Sequence, residues 1–466
     1  MLRPSLLATL LGAAALSACT LDPHYERPAL PVSQAWPVAD RSAAGAASAG
    51  DLAWREVFAD TRLQGLITLA LSQNRDLRVS MGNIAKARAA YGVQRANLLP
   101  TVNAAGAETR SHTPASVSAT GRAVTATEYT ANVGVSAYEI DLFGRLRSLS
   151  RAALQSYLAT EEDLRTAQIT LVSEVAGDYL SLAADQDQLK LSQDTLASRE
   201  DSLRLTKAQF AIGSVSQVDV RLSETLVEQA RADTAKLAAQ VEQGRNALRL
   251  VVGAEIPKDL EPQGDLEAVQ IRGDLPAGTP SDVLARRPDV LSAEYALKAQ
   301  NADIGAARAA FFPKISLTGS AGSASTDLGK LFAGGAGAWS FAPQISAPLF
   351  AGGANISNLR QAKAGRDIAV ATYEKAVQTA FREVSDALAV KSTIDEQLQA
   401  QTRLTAAAAD SLRLTQARYD RGIDSYPTLL DAKRTLYSDQ QTLITTQLSA
   451  ASNRVTLYKV LGGGVR

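Results

Sequence analysis

The sequence has one cysteine and two histidines in 466 residues. A lone cysteine excludes a disulfide within the chain, and no Cys/His pairs have the spacing of a zinc site. No glycine motif that would cradle a phosphate is present, and no group of residues forms a catalytic constellation. Lys+Arg and Asp+Glu both number 48, so bulk electrostatics would not draw the chain to nucleic acid. We therefore expect neither an enzyme, a metal centre nor a nucleic-acid-binding protein.

Aromatic residues are also scarce, at 5% of the chain. The abundant residues are Ala, Leu, Ser, Thr and Gln, a mixture typical of long helices that meet through small side chains. Beyond the N-terminal segment there is no run of about 18 apolar residues, so we expect no transmembrane helix. Contact with a membrane would then require a lipid anchor or a β-barrel.

Residues 1–18 have the layout of a secretory signal peptide, with Arg3 before the apolar run Leu6–Leu16. The only cysteine, Cys19, stands at the cleavage position, as in a bacterial lipobox. This predicts cleavage before Cys19 and acylation of the new N-terminus; the alternative is an ordinary signal peptide with a chance cysteine. Thr20 favours the outer membrane, because lipoproteins kept in the inner membrane typically carry Asp there. Residues 19–50 are rich in Pro, Ala and Ser and predict an extended, lipidated tether.

The rest of the chain contains a tandem duplication of about 210 residues, which is the first feature to look for in a long sequence. We predict a first repeat over 51–252, an equatorial linker over 253–280 and a second repeat over 281–466. Three pairs of segments carry the duplication: Arg95–Pro100 with Arg308–Pro313, Leu142–Arg145 with Leu349–Gly352, and Leu203–Phe210 with Leu412–Tyr419.

Each repeat predicts a helix, a β-hairpin and a long helical hairpin. The β-hairpins fall at about 101–142 and 314–349, and the helical hairpins turn near 213 and 422. In the first β-hairpin, partial alternation of apolar residues predicts strands at Thr101–Arg110 and Tyr129–Leu142, joined by a loop of Ser, Thr, Gly and Pro. Two β-hairpins supply four strands, whereas a closed membrane barrel needs at least about eight. Open strand edges cannot lie in lipid, because their N–H and C=O groups would lack partners. If the strands are membranous, several chains must share the barrel, and a trimer would give twelve strands.

The helical region that starts at Gly144 reaches about Ala211 without a proline. Such a helix is roughly 100 Å long at about 1.5 Å per residue. Two apolar tracks with a seven-residue period lie about 200° apart around it, which predicts neighbours on opposite sides, as in the wall of a cylinder. The alternative is an ordinary antiparallel bundle. The first track is Val175, Leu182, Leu189, Leu196, Leu203 and Phe210, and the second is Ala184, Leu191, Leu205 and Ile212.

Together with the lipobox, four further segments indicate a resemblance to a known family: Tyr25–Pro28, Tyr138–Arg145, Asp282–Val290 and Tyr458–Gly464. Because these segments occur in this order around the duplication, the sequence resembles the TolC-like outer-membrane efflux proteins of the lipoprotein branch. The resemblance implies a mainly α fold with β-strands, in which a homotrimer forms a 12-stranded outer-membrane β-barrel. A long α-helical barrel would continue from it into the periplasm.

The resemblance also implies partners and a function. The trimer would be the exit duct of a tripartite efflux pump, passively conducting what an inner-membrane pump of the resistance-nodulation-division type delivers through a periplasmic adaptor. It would lie in outer-membrane lipid, anchored by N-acyl and diacylglycerol groups on Cys19, with no other cofactor. The alternatives are the duct of a type I secretion system, a periplasmic helical scaffold without a pore, and an outer-membrane enzyme.

The two helical tips are the predicted functional sites. By resemblance they face the periplasm, and Gly213 and Gly422 lie where the adaptor docks; alternatively, these glycines only terminate helices. At the second tip, the resemblance implies that Asp424 and Asp431 form rings of three carboxylates at the aperture, with Arg418 and Tyr419 bonding to a neighbouring tip. The alternative is a solvated turn.

Two other positions bear on these predictions. The resemblance implies a bulky apolar residue at position 427, and Pro427 departs from that pattern of a hydrophobic plug at the aperture. The segment Arg286–Asp289 has charged residues that look catalytic, but Pro288 suits a helix start and Asp289 complements the helix dipole. We interpret this segment as a structural joint.

Overall fold

The computed structural model describes residues 20–38 and 52–464. The predicted signal peptide and Cys19 lie outside these ranges. Nine α-helices and four β-strands follow one another in the described part of the chain. In chain order they are α1 Trp54–Val57, α2 Thr61–Gln73, α3 Arg75–Ala96, β1 Val102–Thr113, β2 Val124–Ile140, α4 Arg145–Ala211, α5 Gln217–Val252, α6 Pro280–Arg286, α7 Pro288–Ala309, β3 Lys314–Ser325, β4 Gly337–Ser346, α8 Ala354–Asp420 and α9 Tyr426–Val460.

The order of elements repeats, as the duplication requires. A helix, two strands and a pair of long helices run from α3 to α5 and again from α7 to α9. The long helices α4 and α8 each contain 67 residues. Strand β2 starts at Val124, earlier than the Tyr129 start that the sequence suggested, because β1 and β2 stay paired out to Thr113 and Val124. Polar Thr and Ser residues there had the composition of a loop but are paired strand.

The chain divides into two compact units that do not coincide with the two repeats. In the described residues, unit 1 consists of 20–28, 84–160 and 292–373, and unit 2 of 29–38, 52–83, 161–291 and 374–464. Each unit therefore takes segments from both repeats. Unit 1 contains all four strands, whereas unit 2 contains the main buried core and both helical tips.

The sheet in unit 1 is antiparallel throughout, with the strand order β1-β2-β3-β4. Strand β2 pairs with β3, so the central pairing joins the first repeat to the second. A bulge in β2 places Ala137 at a φ of 51°, and its N–H donates to Thr318 Oγ1 at 3.1 Å. Strands β1 and β4 each have one edge that no described strand of this chain covers.

The two faces of the sheet differ in polarity, because side chains alternate along each strand. One face is apolar where all four strands pair, whereas further along β1 the same face carries Glu108, Arg110 and His112; the other face is mostly small and polar. The apolar face carries Val102, Val133, Val135, Ile140, Ile315, Leu317, Trp339, Phe341 and Ile345, whereas the opposite face carries Asn103, Asn132, Thr318, Ser316, Ser320, Ser340 and Gln344. Trp339 is 80% exposed in the single chain. Exposing a large apolar side chain to water is unfavourable in free energy. This face therefore requires a non-aqueous neighbour.

Unit 2 has its core where residues 52–77 pack with parts of α4, α5, α8 and α9. Trp54, Phe58 and Tyr458 are fully buried, and the rings of Phe58 and Tyr458 meet edge to face at 5.2 Å. Burial of three aromatic side chains contributes several kcal/mol, at roughly 25 cal/mol per Å² of apolar area. The core thus ties the start of the first repeat to the end of the second.

Residues 20–38 belong to the segment predicted as an extended tether over 19–50. They form neither helix nor strand, but they are docked rather than free. In unit 2, the Trp36 ring stacks on Phe381 at 5.1 Å, and its Nε1 donates to the carbonyl of Gly278 at 2.9 Å. In unit 1, Asp22 forms a salt bridge with Arg151 at 2.6 Å. Composition predicted an extended segment, but it does not reveal these distant partners.

Among residues 20–38 and 52–464, no helix is both long enough and apolar enough to cross a membrane.

Candidate functional site at the helical tips

The two helical tips share one local structure. Helix α4 ends at Ala211 and is followed by Gly213 at a φ of 78°; helix α8 ends at Asp420 and is followed by Gly422 at a φ of 73°. At each tip the glycine N–H bonds to a carbonyl three residues back, and the next N–H bonds to one five residues back. This is a Schellman-type ending, which needs a left-handed residue and therefore favours glycine.

The surroundings of the two glycines are open. A Cβ added to either Gly213 or Gly422 would meet nothing within 4 Å in the described chain. Their backbone conformation, rather than crowding inside the chain, is therefore what requires glycine. Ile212 and Val218 at the first tip and Ile423 at the second expose apolar side chains beside them. The predicted docking of an adaptor here stays a prediction, and the open, partly apolar surface is compatible with it.

At the second tip, Arg418 and Asp424 form a two-point ion pair within the chain. Arg418 Nε and Nη2 donate to the two carboxylate oxygens of Asp424 at 2.8 and 2.9 Å. The hydrogen bond from Arg418 lowers the pKa of Asp424 below its usual value, and the same bond raises the pKa of Arg418. The charge of Asp424 is thus largely neutralised inside each chain.

Asp431 differs from Asp424 although both were predicted as ring carboxylates. It is exposed on α9 and forms no salt bridge or hydrogen bond with another side chain in the described part of the structure. Its full charge is therefore presented to solvent. The sequence analysis predicted the same role for both aspartates. In the described structure, the carboxylate of Asp424 is paired and that of Asp431 is not.

Tyr419 packs inside the same tip. Its ring lies 5.6 Å from that of Tyr426, next to a small buried cluster with Leu226, Leu429 and Leu430. Burial raises the pKa of Tyr419, and the neighbouring Tyr426 adds to the shift. Pro427 lies in the first turn of α9, where a fixed φ suits the start of a helix. Its presence in this sequence thus has a local structural reason.

Sequence reasoning missed two basic residues behind the tips. Arg199 of α4 is only 6% exposed; it donates to the carbonyl of Leu226 at 3.0 Å and lies 5.1 Å from the ring centre of Tyr437. Lys433 of α9 donates to Ser202 Oγ at 2.9 Å. Burial lowers the pKa of Lys433, and the nearby Arg199 lowers it further. These contacts join the helical hairpins of the two repeats, and no local sequence pattern indicates them.

The Arg286–Asp289 segment forms a joint, as interpreted. The side chain of Arg287 is 8% exposed, and its guanidinium donates to Asp289, to Glu383 and to the carbonyl of Val460. These bonds connect the start of α7, the middle of α8 and the end of α9. These bonds from one buried guanidinium hold three elements together, as the interpretation of a structural joint requires. In the described residues, no three His, Cys, Asp or Glu side chains are arranged to hold a metal ion.

Four strands joined to two helices of 67 residues fit one class of protein, the channels built from long helices and a β-sheet. A model of the family described as "Outer membrane efflux protein" matches residues 66–254 and 279–463. The chain belongs to this family.

Named relatives agree with this assignment. The chain is 47% identical over 463 residues to the toluene efflux pump outer membrane protein TtgC of Pseudomonas putida, covering 99% of this chain and 96% of that protein. It is 43% identical over 457 residues to the outer membrane protein OprJ of Pseudomonas aeruginosa, covering 98% and 95%.

Solved structures show the same fold. A membrane protein from Pseudomonas aeruginosa has a TM-score of 0.91 at 42% identity, covering 96% of this chain and 98% of that one. The outer membrane channel MtrE of Neisseria gonorrhoeae, solved in its open state, has a TM-score of 0.87 at 39% identity, covering 96% and 99%. The predicted fold class, a mainly α chain with four strands of the trimeric channel type, is confirmed.

Three other predictions are also confirmed by these comparisons. The chain is an outer-membrane efflux protein, the exit duct of an efflux pump, and it is not an enzyme. Its location is the outer membrane. These matches favour the efflux function over the type I secretion duct. The roles predicted for Cys19, Gly213, Gly422, Arg418, Tyr419, Asp424 and Asp431 stay predictions.

Proposed function

We propose that three copies of the chain form a passive duct whose β-strands close into one barrel. The observation that carries this proposal is the four-stranded sheet with two uncovered edges and one apolar face. Three sheets supply twelve strands, enough to close a barrel, and each uncovered β4 edge then pairs with the β1 edge of the next copy. The apolar face turns to lipid, and the polar face lines the lumen.

Reconstitution tests this duct directly. We expect the purified full-length chain to have the mass of three copies in native mass spectrometry, and to give conductance steps in planar lipid bilayers. Closing the barrel removes every strand edge, so the trimer should also resist mild denaturing detergent. A monomer that inserts without conductance would contradict the duct and favour a helical scaffold without a pore.

We further propose that the trimer works with a periplasmic adaptor and an inner-membrane pump of the resistance-nodulation-division type. Relatives with over 40% identity are named as outer membrane proteins of toluene, solvent and antibiotic efflux pumps, which supports this partnership and organic cargo. The cognate pump and adaptor, expressed with the chain in a strain without its own exit ducts, should restore resistance to such compounds. Resistance that does not depend on the chain would contradict the partnership.

A lipid on Cys19 is the third part of the proposal. It is supported by the apolar run, the small residues before the cysteine and the absence of any other cysteine. Intact-mass spectrometry of the mature chain should give the mass of residues 19–466 plus N-acyl and diacylglycerol groups. A mature N-terminus at another residue, or an unmodified Cys19, would remove the lipid from the proposal.

The tip glycines allow adaptor docking to be separated from helix termination. Alanine at Gly422 should cost about 1 kcal/mol, because its left-handed φ is strained for a residue with a Cβ. Asparagine tolerates this conformation, so Gly422→Asn should keep the turn while adding a side chain to the docking surface.

We therefore expect Gly422→Asn to retain protection against hydrogen exchange at the tip but to weaken adaptor binding. Gly213→Asn should behave in the same way, since the two tips share one structure. Gly82→Ala is the control, because a Cβ there lies inside a helix and meets nothing within 4 Å. Unchanged adaptor binding in both asparagine variants would leave these glycines with helix termination alone.

A further inference from the structure

Residues 20–28, which we call the strap, run along one face of α7 in unit 1. The strap contacts α7 at positions spaced alternately by four and three residues, the spacing of a single helix face. The contacted residues are Glu294, Lys298, Asn301, Gly305 and Arg308. The strap runs antiparallel to the helix, so that its first residues meet the C-terminal end of α7.

Two of these contacts hold the backbone of the strap. Arg308 Nη1 donates to the carbonyl of Leu21 at 3.0 Å, and Asn301 Nδ2 donates to the carbonyl of Pro23 at 2.8 Å. These two bonds give the carbonyls the hydrogen-bond donors that a partner strand would otherwise supply. Such side-chain to backbone bonds fix the path of the strap along the helix.

Two side chains of the Tyr25–Pro28 motif, Tyr25 and Arg27, meet at a buried glutamate. Glu294, whose side chain is 4% exposed, accepts hydrogen bonds from Tyr25 at 3.1 Å and from Arg27, and it also pairs with Lys298 at 2.9 Å. Burial alone would raise the pKa of Glu294, but the hydrogen bonds from Arg27 and Lys298 lower it below its usual value. The strap supplies two of the three donors, Tyr25 and Arg27, that offset the cost of burying this carboxylate.

Asp22 packs against Gly305, a position of α7 that has no side chain. A Cβ built on Gly305 would overlap the Asp22 carboxylate and lie 2.9 Å from the Asp22 backbone N, so a larger residue would displace the backbone of the docked strap. From this position Asp22 accepts a hydrogen bond from Ser148 at 2.5 Å and pairs with Arg151 at 2.6 Å, both on α4. The strap therefore fastens a helix of the first repeat to a helix of the second.

We propose that this face of α7 is a sequence-specific peptide site whose ligand is the chain's own strap, and that docking does not depend on the lipid. The strap begins at residue 20 and is held at its start by Arg308, six residues before β3 begins at Lys314. Docking thus fixes the N-terminal end of the mature chain next to the foot of the sheet. If Cys19 is acylated as proposed above, its lipid would enter the membrane next to the foot of the sheet. This consequence rests on the proposed lipidation.

Gly305→Ala provides a selective test, because alanine favours a helix more than glycine does. The substitution should preserve α7 but exclude the strap. Gly92→Ala is the matched control, since Gly92 is also helical and in unit 1, and a Cβ there meets nothing within 4 Å. A photo-crosslinking residue, p-benzoylphenylalanine, placed at Leu21 of the full-length chain in membranes reports where the strap lies.

We expect crosslinks from position 21 to a peptide of α7 in the otherwise unsubstituted chain and in Gly92→Ala. In Gly305→Ala the yield should fall at least tenfold. Equal crosslinking in Gly305→Ala and Gly92→Ala would overturn the proposed site.

A second arm separates docking from lipidation. The same chain, exported on a signal peptide that leaves an unacylated N-terminus at residue 20, should crosslink to α7 as strongly as the acylated chain. Loss of the crosslink there would overturn docking without the lipid. Intact mass reports acylation of Cys19 independently, so a failed lipid prediction is distinguished from a failed strap site.

Discussion

Replacing Arg287 with methionine is expected to destabilise unit 2 by about 3 kcal/mol, the lower end of the range for removing one partner of a buried ion pair. Arg287 is buried and bonds to three elements at once, so its loss leaves Asp289, Glu383 and the carbonyl of Val460 without their shared donor. The side chains of Asp289 and Glu383 are 35% and 37% exposed, so water partly replaces the lost bonds. This is why we place the effect at the lower end.

Tryptophan fluorescence can measure this loss of stability, because Trp54 is buried in the same unit. The backbone N–H of Trp54 donates to the carbonyl of Gly464. With Trp36 and Trp339 replaced by phenylalanine in every chain compared, the fluorescence of Trp54 should report unfolding of Arg287→Met at a lower denaturant concentration than in the chain with Arg287. Arg272→Met is the matched control: Arg272 also pairs with an aspartate, Asp274, but both side chains are well exposed. Removing an exposed pair costs about 0–1 kcal/mol. Equal shifts in the two variants would show that burial of Arg287 does not set its contribution.

Local patterns explain which parts of the fold were predictable. The absence of proline from the region before Ala211 and the glycine that follows predicted α4 closely, and apolar alternation predicted the β-hairpins. The start of β2 was misplaced because a strand of Thr and Ala with only one apolar face resembles a loop. Its true start is set by pairing with Thr113, which is a property of two segments rather than one.

The contacts that sequence reasoning missed join residues far apart in the chain. Tyr25 and Glu294 are separated by 269 positions, and Lys433 and Ser202 by 231. No periodicity connects such residues, so the docked strap and the link behind the tips could not be predicted from a single sequence. The candidate gate was predicted as a set of residues, but not the pairing that neutralises Asp424 and leaves Asp431 charged.

That difference predicts unequal effects on ion selectivity. In the proposed trimer, three Asp431 carboxylates at about 7 Å from a passing cation attract it with a total of about 2 kcal/mol in water, before screening. Asp431→Asn removes these charges without changing side-chain size. We expect the preference for cations over anions, measured from reversal potentials in planar bilayers, to fall severalfold at 0.1 M salt. At 1 M salt the difference should largely disappear, because the screening length shortens to about 3 Å.

The double variant Arg418→Gln, Asp424→Asn is the matched control. It removes both charges of the paired aspartate and so leaves the net charge of the tip unchanged. We expect its ion selectivity to stay near that of the unsubstituted channel, while the loss of two charge-assisted hydrogen bonds makes hydrogen exchange at the second tip faster. If this variant lost selectivity and Asp431→Asn did not, the paired aspartate would be the selective group and the assignment of the two carboxylates would be reversed.

Acid provides an independent check on the same pair. The pKa of Asp424 is lowered in the folded chain, so the pair stabilises the tip above the pKa of an unfolded aspartate. That contribution declines as the pH falls below the unfolded pKa and is lost once the pH has passed through the lower, folded value. Protection against hydrogen exchange at the second tip should therefore persist when the pH reaches the usual aspartate pKa, and decline below it. In the double variant this acid-dependent step should be absent, because the variant has no carboxylate at position 424 to protonate.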